Sequence, residues 1–273
     1  MNIEKSITSL KKWFSTLEGS IIAFSGGVDS ALVLYLSRMF LPKPQTIGVI
    51  SNSESLKAKD YQVAVDFAEK HDIILKTIYT EELKDHQYNT NPGNRCYYCK
   101  THLYLALEEV KKTYGQFTIL NGTNKDDLGD HRPGLKAASE RAVRSPLAEL
   151  ALGKNEVRTL ARHFGLSVWN KPASPCLSSR IPYGLSVTDK KLRQVEAAEN
   201  LLNNAGFSDV RVRHYGSSCK VEVPASQVQH LMTSSDDLIP QIKEIGFEDC
   251  VIDTEGLVSG KMNRALKKDD AKF

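Results

Sequence analysis

Long apolar runs are absent. None approaches the roughly 20 residues that a membrane-spanning helix needs, so no membrane partner is expected. The opening residues are polar and mixed in charge, without the apolar core of a secretory signal. A cytoplasmic location is expected. An excess of one charge is missing too: 36 Lys and Arg stand against 33 Asp and Glu, a net +3. That balance argues against the broad basic surface of a nucleic-acid binder. Cysteine is scarce, five in 273 residues. Without a secretion signal these thiols are read for metals or catalysis before disulfides. A second Cys-x-x-Cys pair is lacking, which counts against a structural zinc finger.

Two familiar nucleotide signatures are also absent. No Gly-x-x-x-x-Gly-Lys-Ser/Thr string occurs, and the glycine spacing of the dinucleotide fingerprint does not appear. What stands instead is Ser25-Gly26-Gly27-Val28-Asp29-Ser30, between the apolar run 21–24 and the helix-like run 31–36. A strand that turns through a small Gly-rich loop into a helix makes an anion site. Loop amides point inward and the helix N-terminus adds partial positive charge. The glycines let a bulky anion approach the backbone. The expected anion is a nucleotide's phosphate tail. Asp29 cannot donate to phosphate when ionised, so it is expected to help hold Mg²⁺ or to orient the loop.

Apolar residues make up 41% and charged residues 25%, ordinary for a globular chain of one or two domains. Strand-like runs at 21–24, 46–50, 73–78 and 118–120 alternate with helix-like runs at 30–39, 56–70 and 100–112. Such alternation predicts an α/β fold, a parallel sheet covered on both faces. Ligands in these sheets sit beyond the carboxyl ends of the strands. There the SGGVDS loop, Ser51 to Glu54 and Asn121 to Asn124 should gather. Ser51 is expected near adenine or ribose, and Gly122 to allow close approach of the nucleotide.

A helix at 154–164 leads into an irregular stretch with Pro172, Pro175 and Pro182. A boundary is placed at about 185, giving domains 1–185 and 186–273. The second is read as small and α+β: a helix at 188–205, strands at 210–214, 220–223 and 250–253, and helices at 226–232 and 237–245. Gly206-Phe207-Ser208-Asp209-Val210 echoes Gly246-Phe247-Glu248-Asp249-Cys250, a hint of a duplicated α–β unit. The charged end, 266–273, is expected to fray.

Cys96-Tyr97-Tyr98-Cys99 opens a helix-like run. Alone it reads as a redox pair, half a zinc site or two unrelated thiols. Cys176 lies in the irregular stretch near Arg180, a cation that favours thiolate. Three thiolates can hold three corners of a [4Fe–4S] cube and leave one iron open. Cys219 and Cys250 have no partner at motif spacing; Cys250 reads as a small core residue, and Cys219 as the same or as an exposed thiol.

Further strings agree with one another: Asn121-Gly122-Thr123-Asn124-Lys125-Asp126-Asp127, the run Asp130-His131-Arg132-Pro133-Gly134-Leu135-Lys136-Ala137, Arg144-Ser145-Pro146-Leu147, the run from Lys171 through Cys176 to Gly184, and Val210-Arg211-Val212-Arg213. With SGGVDS they resemble the LarE-type ATP-dependent sulfur transferases of the PP-loop ATP pyrophosphatase superfamily, over about residues 10–265. The resemblance implies an adenine nucleotide alpha hydrolase-like parallel sheet with a small C-terminal α+β domain. It also implies an enzyme that adenylates the carboxylates of a pyridinium-3,5-dicarboxylate mononucleotide, releases pyrophosphate and replaces AMP with sulfur. The product is the organic part of a nickel-pincer cofactor.

By that resemblance ATP with Mg²⁺ meets Ser25, Gly26, Gly27, Asp29, Ser30, Ser51 and Gly122. The substrate's phosphate meets Ser179, Arg180, Arg211 and Arg213. Some relatives carry three cysteines on a [4Fe–4S] cluster, and Cys96, Cys99 and Cys176 match that variety, with Cys176 and Asp29 central to catalysis. Glu199 and Glu222 match acidic positions near the family's phosphate and metal sites, Glu199 reading equally as a helix-surface charge; Asp126 and Asp127, which follow the strand end, are read as approaching Mg²⁺ or ribose, or as a loop cap. A sulfide or another sulfur donor is needed as partner, and a homo-oligomer is expected. Other readings are a tRNA-thiolating enzyme, an amide-forming synthetase of the NAD or GMP type, and a degenerate nucleotide-binding module. The mild charge, the cysteine trio and the intact loop weigh against these in turn.

Overall fold

The computed structural model describes residues 2–129, 133–258 and 260–265. Asp130, His131 and Arg132 of the motif run, and the charged end 266–273, lie outside them. The chain divides into two compact units: Met1–Glu82 with Cys96–Ser174, and Leu83–Arg95 with Pro175–Phe273. The second unit's main segment begins at Pro175, and the sequence reading starts its second domain at 186. The excursion at 83–95 goes with the second unit because Asn91 Nδ2 donates to the carbonyls of Ile181, Pro182 and Leu185.

The first unit holds a four-stranded parallel sheet. β1 (Ser20–Ala23) is central, β2 (Thr46–Ser51) and β4 (Thr118–Leu120) flank it, and β3 (Ile74–Ile78) lies outside β2. Side chains alternate between the faces. Ile22, Ile50 and Leu120 pack in one core with α1 (Ile3–Phe14), α2 (Val28–Phe40), α3 (Ala58–Lys70) and α8 (Lys154–His163). Ile21, Ile47, Val49 and Ile119 pack in the other with α5 (Arg95–Lys112) and α6 (Pro133–Glu140). Burial on both faces explains why these strands read as continuous apolar runs. Short helices α4 (His86–Asn89) and α7 (Pro146–Glu149) complete the numbering up to α8.

Helix α1 was not expected from the sequence. Its signal is the spacing of Leu10, Trp13 and Phe14, all buried, behind an Asn2 cap whose Oδ1 accepts from Lys5 N at 3.0 Å. Helix α6 was missed as well, although it opens on Pro133 at its first position.

The second unit holds a three-stranded sheet. β5 (Arg211–Tyr215) runs antiparallel to β6 (Ser218–Glu222), which runs parallel to β7 (Asp249–Ile252). Helices α9 (Asp189–Asn204), α10 (Val228–Thr233) and α11 (Ser235–Glu244) supply the rest of its core. The two echoing pentapeptides do the same work. Gly206 and Gly246, at φ +99° and +111°, end α9 and α11 in the left-handed region. Phe207 and Phe247 then enter the same core. Cys219 and Cys250 are register partners on β6 and β7 and are buried there. The Cys250 sulfur and burial together push the Cys219 thiol up, so it stays protonated. Both are core residues.

His214 joins three elements of this unit. Its Nδ1 accepts from Gly216 N, and its Nε2–H donates to Gln194 Oε1 at 3.1 Å. Gln194 Nε2 donates in turn to Gly246 O at 3.0 Å. Protonating Nδ1 would set a donor against a donor. Burial, with the Lys191 charge, lowers the His214 pKa from 6.5 to about 4. Since the folded value lies below the unfolded one, this contribution is complete above pH 6.5 and is lost as pH falls towards 4. The loss amounts to about 3 kcal/mol. Denaturant midpoints between pH 7 and 4 should therefore fall more steeply for the native protein than for His214→Gln; equal slopes would refute this.

Candidate functional site

The chain leaves β1 through Phe24 and enters the loop at Ser25. Gly26 takes φ +68°, and Gly27 caps α2. Ser30 Oγ accepts from Ser25 N at 3.2 Å, lies 3.1 Å from Ser25 Oγ and donates to Gly27 O at 3.1 Å. The two serines thus brace the loop from inside. Gly122, at the end of β4, presses on it from outside: a Cβ there would lie 2.5 Å from Ser30 N. The close approach that Gly122 allows is to the backbone of α2.

Asp29 sits in the first turn of α2. Its carboxylate accepts from Asn124 Nδ2 at 3.0 Å and from Lys154 Nζ at 2.5 Å. The side chain therefore ties the loop to the turn after β4 and to the start of α8. Lys171 Nζ donates to Gly26 O at 3.1 Å and pairs with Asp60 at 2.9 Å. Asn124 closes the 121–124 turn that the sequence placed here, whereas Lys154, Asp60 and Lys171 were not identified from sequence as site residues. Those three lie 34 to 145 positions from their partners in the loop, and no local spacing marks them. At the end of β2, Ser51 Oγ lies 2.6 Å from Thr80 Oγ1. Asp126, read as a possible cation ligand, is exposed, and its Oδ2 accepts from Lys154 N at 2.7 Å. It caps α8 there.

In the second unit, three arginines and two glutamates form a cluster. Arg180, 1% exposed, lies in a turn at Leu177–Arg180. Its Nε and Nη2 donate to the two oxygens of Glu199 at 2.8 and 3.2 Å. Its Nη1 donates to Pro175 O, Cys176 O and Ser179 Oγ at 2.6, 3.2 and 2.9 Å. Arg213 donates to Glu222 Oε2 through Nε and Nη2, at 3.0 and 2.7 Å, and to Ser179 O at 2.9 Å. Glu199 and Glu222, matched to cation positions by resemblance, are thus engaged by arginines. Arg211 is partly exposed. Burial, then the charges of Arg180 and Arg213, lower its pKa. Proximity to cations disfavours its own charge, and an anion placed there would relieve that.

The cysteines fall into two groups. Cys96 and Cys176 are exposed and Cys99 is half-buried, whereas Cys219 and Cys250 are in a core. Cys96 and Cys99 stand three residues apart within the first five residues of α5, on neighbouring positions of one helix side. Cys176 precedes the Leu177–Arg180 turn, and Arg180 holds its carbonyl. Among the described residues, no group of three His, Cys, Asp or Glu converges as a metal site. Donor chemistry and access nonetheless suit the thiols to soft-metal binding.

Comparisons with known proteins agree with this geometry. The NAD synthase family matches residues 2–95, the stretch that carries the loop and the first three strands. An uncharacterized protein of Synechocystis sp. is 39% identical over 268 residues, covering 97% of this chain and all of that one. The pyridinium-3,5-bisthiocarboxylic acid mononucleotide synthase of Lactiplantibacillus plantarum is 36% identical over 252 residues, 92% of this chain and 91% of its own. An uncharacterized protein of Methanocaldococcus jannaschii is 28% identical over 86% of this chain and 89% of its own. With the SGGVDS loop at the head of a parallel α/β sheet and a small second sheet after it, the chain belongs to the LarE-type family of ATP-using enzymes within the PP-loop superfamily.

Proposed function

We propose that this enzyme converts the carboxylates of pyridinium-3,5-biscarboxylic acid mononucleotide to thiocarboxylates for a nickel-pincer cofactor. The 36% identity over nearly the whole length of the Lactiplantibacillus synthase carries the reading. A carboxylate is a poor electrophile because oxide is a poor leaving group. Its oxygen attacks the α-phosphorus of ATP, pyrophosphate leaves, and an acyl-adenylate forms. Hydrosulfide then adds to the acyl carbon and AMP departs, leaving a thiocarboxylate and a proton.

The loop of Ser25, Gly26, Gly27 and Ser30 at the head of α2 holds the departing pyrophosphate through its unengaged amides, the two serine hydroxyls bracing its shape and Mg²⁺ travelling as part of the nucleotide. Ser51 and the chain around Gly122 border the nucleoside. Arg211, with Arg213 and Ser179 behind it, takes the substrate's phosphate. Arg180 acts less on phosphate than on position, since Glu199 and the carbonyl of Cys176 use its donors. Cys96, Cys99 and Cys176 would hold a [4Fe–4S] cluster, which supplies an open iron able to carry sulfide. The mild net charge disfavours the tRNA reading, and the exposed thiols disfavour the amide-forming one.

Anaerobic purification tests the cluster. Brown protein with about four irons per chain, forming thiocarboxylate repeatedly from substrate, ATP and sulfide, is expected. Colourless protein that turns over only once would point to a cysteine giving up its own sulfur.

A further inference from the structure

The SGGVDS loop contains no cation, unlike the P-loop with its built-in lysine. We propose that Lys171 supplies that cation and contacts the β- and γ-phosphates of ATP. The inference rests on the reading that ATP occupies this loop. Two lysines reach the loop from elsewhere. Lys154 is paired with Asp29 and neutralises it. Lys171 touches the loop backbone itself, at Gly26 O, and its other partner is Asp60 Oδ1. These side chains are 19% and 13% exposed, so the pair is shielded from solvent. An ammonium has three donors, and two are engaged here. The third is the one a phosphate oxygen takes.

The surrounding segment holds Lys171 in place. Arg158 of α8 donates to Trp169 O at 3.1 Å and Lys171 O at 3.0 Å. Ser174 Oγ donates to Asp60 Oδ2 at 2.7 Å. Asp60 lies in the first turn of α3, and its own carbonyl is 3.2 Å from where a Gly26 Cβ would be. Asp60 thus aims the ammonium at the loop. Without Lys171 the same carboxylate would repel a triphosphate. This predicts a signature that a merely structural lysine would not give: neutralising Asp60 should restore binding to a Lys171 variant.

The test is calorimetric binding of magnesium α,β-methylene-ATP to the full chain, with thermal melts to check folding. Lys171→Met should weaken binding about 10- to 100-fold. Lys171→Arg should retain most of it. The double variant Asp60→Asn/Lys171→Met should bind more tightly than Lys171→Met alone. In the native protein, amide exchange over 169–174 should slow when the analogue binds, a readout that needs no variant. Binding by Lys171→Met within about twofold of native, or unchanged exchange in that segment, would overturn the role of Lys171 alone. Failure of the native protein to bind the analogue would overturn the loop reading as well.

Discussion

Asp29→Ala is expected to lower AMP formation at least about 100-fold, with the fold intact. The carboxylate makes two bonds that cross the unit: one to Asn124 Nδ2, one to Lys154 Nζ. Asn124 in turn organises the residues after β4, its Oδ1 accepting from Asp126 N and Asp127 N at 2.9 and 3.3 Å. Removing Asp29 therefore loosens the loop at the point where α2, β4 and α8 meet. A displacement of about 1 Å between bound nucleotide and acceptor is enough for a loss of this size. Lys154→Met should share part of the defect. The double variant should then be less impaired than the product of the single effects, because both remove one interaction. Chromatographic measurement of AMP from substrate and ATP reads this directly. A rate for Asp29→Ala close to native would remove the loop carboxylate from the mechanism.

Glu199→Ala should destabilise the second unit by about 3–5 kcal/mol, because it leaves the Arg180 guanidinium buried without its partner. Glu199 also accepts from Val212 N at 3.1 Å, so β5 loses a contact at the same time. The backbone of Cys176 hangs from Arg180, so sulfur transfer should fall further than adenylation does. Arg180→Met with Glu199→Leu should recover much of the stability, since an apolar pair can replace a buried ion pair. It should not recover sulfur transfer. Denaturant unfolding, with thiocarboxylate and AMP measured on the same samples, separates the two effects. Recovery of both together would show that the pair serves stability alone.

Local features were legible in the sequence and distant ones were not. The SGGVDS loop, the strand runs and the glycine ends of α9 and α11 follow from neighbouring residues, and the structure has them. Arg180, Arg213, Glu199 and Glu222 stood out as residue types, but a sequence displays charges without their burial. One signal went unread. Leu192, Val195, Ala198 and Leu202 form the apolar side of α9, and Glu199 follows Val195 by four positions, which puts it on that side. A carboxylate there needs a buried cation. The lysines at the loop carry no such signal, because only the strand order of the sheet brings residues 154 and 171 back to residue 26 or 29.

Gly122 has a consequence for how far the SGGVDS string can travel. Its missing side chain is what lets the end of β4 lie against Ser30, so part of the loop's shape is stored in a neighbouring strand. Grafted alone onto another parallel sheet, the hexapeptide would carry its glycines and serines but not the surface that moulds them. The transferable unit is the loop together with the Asn121-Gly122-Thr123-Asn124 turn, and a search or design that keeps both should retain far more sites that bind.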